Sequence, residues 1–136
     1  MVAFLSPEWV ERQRQLLAEL PAAGAEGEAP GDRGATVRVQ YVVTGGPDGD
    51  VAYHLAFEGG RVVDGGLGTD ADAEVVLTTV HEVAASIAAG DVEPSVAFMQ
   101  GRLKTEGPTS RLLPLLALTQ TEPYRAAADR LRAETD

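Results

Sequence analysis

The sequence predicts an α+β fold. Two stretches alternate apolar and polar residues at strand period between residues 35 and 57. Stripes of apolar residues at helical period lie before and after them. Strands and helices do not alternate regularly, as a βαβ chain requires, so sheet and helices form separate runs.

The first element is a helix. Ser6 is placed to cap its free amides, Pro7 suits the first helical position, and Glu8 favours the helix dipole. Trp9, Val10, Gln13, Leu16, Leu17 and Leu20 then share one face, and Pro21 ends the helix. Residues 21–34, rich in Ala, Gly, Glu and Pro, are expected to form a loop.

Strand period begins at Ala35. Val37, Val39, Tyr41 and Val43 point one way, and Thr36, Arg38 and Gln40 the other. After the turn at Gly45–Asp50, Val51, Tyr53, Leu55 and Phe57 alternate with Ala52, His54 and Ala56. Gly59-Gly60 fits a two-residue hairpin loop, because both positions accept positive φ. Arg61–Asp64 is the return strand and residues 65–72 a Gly/Asp loop. Together these make an antiparallel meander with one apolar face. A fourth strand is expected over Glu74–Thr78.

Thr79 and Glu82 have the spacing of a capping box. Val80, Val83, Ala84 and Ile87 form the stripe of the next helix, which Gly90 ends. Pro94 starts a short helix closed by Gly101. Arg102–Glu106 alternates as a fifth strand. Pro108 opens a helix whose residues Leu112, Leu113, Leu115, Leu116, Ala117 and Leu118 nearly encircle it. Such a helix is buried, faces a membrane, or covers a cavity. A lid over an apolar pocket and an ordinary core or dimer helix both remain open. Pro123 starts a last helix with Tyr124, Ala127, Ala128 and Leu131 on one face.

Composition narrows the function. A chain of 136 residues is the size of one domain and can bury a core unaided. There are no cysteines, so disulfides and thiolate metal sites are excluded, and a reducing compartment fits. The net charge of −10 opposes phosphate backbones and anionic surfaces, so nucleic acid is not an expected partner. No apolar run approaches the roughly 18 residues of a membrane span. The N-terminus shows no secretion signal. A soluble cytoplasmic protein without stable membrane insertion is expected.

Catalytic patterns are sparse. Gly65-Gly66-Leu67-Gly68 lacks the lysine of a phosphate loop. Ser6, Ser86, Ser95 and Ser110 sit at or inside helices, and none lies in a nucleophile elbow. His54 and His81 have no partner at metal-ligand spacing. Neither catalytic residues, a metal nor a cofactor is therefore expected.

The second half of the chain resembles the sterol carrier protein type 2 family. The residues that carry the resemblance are the strand Ala73–Thr79, the helix end Ile87-Ala88-Ala89-Gly90, and Asp91–Gly107. Ala97-Phe98-Met99-Gln100-Gly101-Arg102-Leu103-Lys104 is its most specific part. The hairpin Phe57–Val62 fits too, and Ser6-Pro7-Glu8-Trp9 resembles the opening of stand-alone bacterial members. The resemblance covers roughly residues 5 to 120. It implies a five-stranded mixed, mainly antiparallel sheet in the order 3-2-1-4-5, with helices on one face and an apolar tunnel between. It also implies a carrier of sterols, fatty acids or fatty acyl-CoA, though some members are accessory domains of enzymes.

On this view residues 1–136 form one domain: the N-terminal helix (1–20), the loop (21–34), sheet and middle helices (35–107), and C-terminal helices (108–136). The expected cavity wall is Val39, Tyr41, Leu55 and Phe57 from the sheet, Ile87, Phe98 and Met99 from the middle helices, and Leu112, Leu115 and Leu116 from the lid. Every one of these positions also suits plain core. Arg102 and Lys104 could meet an acyl carboxylate or CoA phosphate, against the alternative of a solvated strand face. Three functions stay open: a carrier of an apolar small molecule, a module that packs on its own copy or on a partner enzyme, and a small enzyme acting on an apolar intermediate.

Overall fold

In the computed structural model of the chain, residues 3–20, 36–47 and 49–135 are described. The loop expected over 21–34 lies outside them. Helix α1 (Pro7–Ala18) begins as its sequence dictates: the Ser6 hydroxyl accepts a hydrogen bond from the Trp9 amide at 3.2 Å. Trp9, Val10, Leu16 and Leu17 are buried along its inner face, and Leu20 is buried just past its end.

Strands β1 (Val37–Gly46), β2 (Gly49–Glu58), β3 (Arg61–Leu67), β4 (Val75–Val80) and β5 (Lys104–Glu106) form one sheet in the order β3-β2-β1-β4-β5. β1 runs parallel to β4, and the other neighbouring pairs are antiparallel. This is the mixed sheet that the resemblance implies. Gly59 and Gly60 both take positive φ, 61° and 86°, in the β2–β3 turn.

One row across the sheet holds the centre of the core. Leu55, Val39 and Val75 are register partners in succession, and each is at most 1 % exposed. Burying side chains of this size contributes about 1.5–3 kcal/mol apiece. Gly65 completes the row beside Leu55. Strand β3 therefore runs past Asp64 to Leu67, where a Gly/Asp loop was expected. A Cβ on Gly65 would stand 2.8 Å from both the His54 carbonyl oxygen and Leu55 Cδ2. The glycine that weakens strand propensity is what lets the strands approach here.

Helices α2 (His81–Ala88), α3 (Pro94–Met99), α4 (Thr109–Thr119) and α5 (Glu122–Ala133) follow. Helix α1 packs on β3 and α5, α2 on β1 and β4, and α4 on α3, α5 and β1. The capping box expected at Thr79 does not form. Thr79 still pairs with Val43 in the sheet, its hydroxyl donates to the Arg102 carbonyl at 2.9 Å, and Val80 is the cap residue. The sheet ladder outcompetes the local cap. The fifth strand is shorter than expected, with only Lys104–Glu106 paired to β4.

Helix α4 is not apolar on all sides in its setting. Leu112, Leu115, Leu116 and Thr119 are buried at i, i+3, i+4 and i+7, whereas Leu113 is 57 % exposed. Pro114 lies on the exposed side, where a missing amide donor leaves no buried acceptor in need. On the opposite sheet face, Gln40 departs from the expected solvated pattern. Its amide Nε2 donates to the Tyr53 and Gly68 carbonyls at 3.0 and 3.1 Å, and its Oε1 accepts from the Asp70 amide at 2.7 Å. Gln40 thus pins the β3–β4 loop over the sheet and is itself buried.

Candidate functional site

Between the inner face of the sheet and the helices lies a cavity of about 700 Å³. Its origin is a shortage of side-chain volume. Helix α2 turns Ala84, Ala85 and Ala88 toward it, and α5 turns Ala127 and Ala128. Methyl groups on these helices do not reach far enough to meet across the gap, so close packing fails there. Leu16 and Leu17 of α1, Leu77 of β4, and Leu115 and Leu116 of α4 add larger apolar side chains to the wall.

Aromatic rings line one side in series. Phe4 meets Trp9 edge-on at 5.0 Å, Trp9 meets Tyr53 edge-on at 5.9 Å, and Tyr53 stacks on Tyr41 at 4.7 Å. The stack follows from register, since Tyr41 and Tyr53 are cross-strand partners. Tyr124 of α5 lines the cavity as well. Burial pushes the Tyr124 phenol up to about 12. Burial likewise raises Tyr41 and Tyr53, and Tyr124 adds to both. All three are neutral hydroxyls at physiological pH.

Charged groups are confined to the rim, where they tie α5 down. Arg125 pairs with Glu93 at the start of α3 at 2.5 Å. Arg132 donates to the Ala88 carbonyl at the end of α2 at 3.2 Å and pairs with Asp129 at 2.8 Å. Arg12 of α1 holds Glu134 through two hydrogen bonds of 2.7 and 3.1 Å. Helix α5, the last described helix, therefore bridges α1, α2 and α3 beside the cavity, and α4 lines it with Leu115, Leu116 and Thr119.

Of the residues expected in the wall, the structure brings Tyr41, Ile87, Leu115 and Leu116 to the cavity. Val39, Leu55, Phe57 and Leu112 are buried in the core outside the lining, and Phe98 packs partly buried against that core. Met99 is 82 % exposed on the outer side of α3. Arg102 and Lys104 are exposed and away from the lining. Trp9, Gln13, Tyr53, Tyr124 and the alanines of α2 and α5 line the cavity without having been singled out for it. Tyr53 carried a signal, since its alternation places it on the face of Tyr41. For α5 no local pattern says which wall it completes. Among the described residues no cluster of His, Asp and Glu is arranged to hold a metal ion. No helix among them is long and apolar enough to cross a membrane.

A five-stranded mixed sheet with helices on one face, and a cavity between them, defines the molecule as a small α+β domain. The sequence profile of the SCP-2 sterol transfer family matches residues 18–120, and the chain belongs to that family. Among solved structures, it resembles a crystal structure of sterol carrier protein 2, with a TM-score of 0.68 and 19 % identity over 93 % of this chain and 98 % of that one. It also resembles a Thermus thermophilus protein described as possibly a sterol carrier protein. There the TM-score is 0.71 and identity 18 %, over 96 % of this chain and 91 % of that one. A third, the palmitated SCP2L2 protein of Aedes aegypti, gives a TM-score of 0.59 and 17 % identity, over 82 % and 90 % of the two chains. At these identities the likeness is one of fold. No curated protein matches by sequence.

Proposed function

We propose that the chain binds and carries lipid-like apolar molecules (fatty acid, fatty acyl-CoA or a sterol-like ligand) in its internal cavity, and does no chemistry on them. The observation that carries this reading is the 700 Å³ cavity walled by Tyr41, Ile87, Leu115 and Leu116. Each methylene buried there contributes about 0.8 kcal/mol, so a long apolar ligand binds by area without a fixed anchor. Val39, Leu55, Phe57, Leu112 and Phe98 support the wall from behind, and Met99, Arg102 and Lys104 have no part in it. A neighbour in fold was solved in palmitated form, which supports a fatty acid as one ligand class. A cytoplasmic setting suits a cysteine-free chain.

Native mass spectrometry of the purified protein, with organic extraction of what travels with it, tests the reading. A co-purifying lipid that is lost in Ala127→Trp, with thermal stability retained, supports it. A ligand-free mass that no fatty acid, sterol or acyl-CoA shifts sinks it. A second reading, docking on its own copy or on a partner enzyme, is favoured by the exposure of Met99 on α3 and Leu113 on the adjacent α4. It predicts a mass that rises with protein concentration and ignores lipid.

A further inference from the structure

The cavity meets the surface along one seam. Most of its lining is buried or half-buried, and the exposed lining residues fall into two sets. Ala89, Gly90 and Glu93 belong to the connection from α2 to α3. Arg125, Asp129 and Arg132 belong to α5, at i, i+4 and i+7, and so share one face of that helix. The two sets are tied to each other. Arg125 pairs with Glu93 at 2.5 Å, and Arg132 donates to the Ala88 carbonyl at 3.2 Å. Gly90 leaves room for the second tie, since a Cβ there would stand 2.5 Å from Arg132 Nη2. They are therefore the two lips of a closed mouth.

Helix α5 is held differently on its two sides. Toward α1 it packs directly, and Arg12 grips Glu134 through two hydrogen bonds. Across the seam the ties are wet: the side chains of Arg125 and Glu93 are 52 % and 49 % exposed. Ion pairs so exposed hold weakly. Leu131 is the one buried residue of α5, whereas α4 buries Leu112, Leu115, Leu116 and Thr119. A helix with so little of its surface in the core parts easily from the side where only such ties hold it.

We infer that α5 is the gate of the cavity. Ligand passes between α5 and the α2–α3 connection, α5 stays hinged on α1, and the Arg125–Glu93 and Arg132–Ala88 ties latch it shut. This rests on the cavity being a ligand site. It assigns the lid to α5 and leaves α4 as a core helix. Arg125 and Arg132 lie beyond residue 120, where the family match ends, so the latch is a feature of this chain's own C-terminal helix.

The chain has no cysteine, so a pair placed on the two lips is unique. Stopped-flow fluorescence follows the uptake of cis-parinarate and its release to phosphatidylcholine vesicles. In Glu93→Cys with Arg125→Cys, a bis-methanethiosulfonate cross-linker is expected to slow both steps about tenfold or more, and dithiothreitol to restore them. Methyl methanethiosulfonate caps the same cysteines without joining them and is expected to leave exchange fast. Glu93→Gln, which keeps the shape and removes the charge, is expected to speed uptake and release together by about two- to fivefold at unchanged equilibrium affinity. An ion pair with a structural role alone lowers the melting temperature without moving these rates. Cross-linked protein that exchanges cis-parinarate as fast as capped protein overturns the gate while the carrier reading stands. Wild-type rates in Glu93→Gln overturn it as well. If cis-parinarate gains no fluorescence with the wild-type protein and does not raise its melting temperature, the gate and the carrier reading fall together.

Discussion

Tyr41 and Tyr53 stand opposite each other across the β1–β2 ladder, with ring centroids 4.7 Å apart and planes 10° from parallel. The pair places two neutral hydroxyls on the sheet wall of the cavity. Because burial raises all three phenols, none titrates near the free value of about 10. The sign follows from proton linkage. Above that value the unfolded chain loses phenol protons that the folded chain keeps, so stability falls as pH rises toward the folded values. The phenolate absorbance of native protein should stay flat through pH about 10 and rise only with alkaline unfolding. A phenolate signal near the free value in folded protein contradicts the burial.

At low pH the helix clamp is the sensitive part. Glu134 titrates below its ordinary value of 4.5, chiefly because the Arg12 guanidinium hydrogen-bonds its carboxylate. Its contribution is complete above that ordinary value and is lost as pH falls through the lowered folded one. Melting temperature measured against pH should therefore drop on the acid side, and less steeply in Glu134→Gln. Both side chains are partly solvated, so the difference at neutral pH is small.

Gly65→Ala tests the close approach of β2 and β3. The new methyl meets a backbone oxygen, which cannot move aside as a side chain can. Loss of about 1–3 kcal/mol is expected by denaturant unfolding. A neutral substitution would mean that β3 is held more loosely than described.

Gln40→Leu removes the hydrogen bonds of a buried side chain and strands the Asp70 amide. A loss of about 2 kcal/mol or more is expected. Amide hydrogen exchange should quicken at Asp70, next to the ion pair between Asp70 and Arg38. Unchanged exchange there would show that the loop is held by that ion pair and not by Gln40.

Local physics made most of the architecture legible. The Ser6 cap, the alternation through Val37–Val43 and Val51–Phe57, and the positive-φ glycines of the β2–β3 turn are decided by residues close in sequence. The resemblance supplied the sheet order, which periodicity alone does not contain. Errors arose where a distant partner prevailed over a local preference. Gly65 is a strand residue because Leu55 needs its space, and Thr79 stays in the sheet because Val43 and Arg102 hold it. Gln40 is buried because a loop some 30 residues away folds over it.

The sequence by itself determined the helices, the strands and the apolar face that a core must cover, since these depend on period and on neighbours within a few residues. It also placed Tyr41, Ile87, Leu115 and Leu116 on inward-facing positions. Whether an inward position meets another side chain or an open space is a matter of volumes summed over elements far apart in the chain. Tertiary structure alone set the alanines of α2 against those of α5 and so left the cavity between them. It alone placed Tyr124 and Gln13 in the cavity lining, because the first and last helices meet only in the folded molecule.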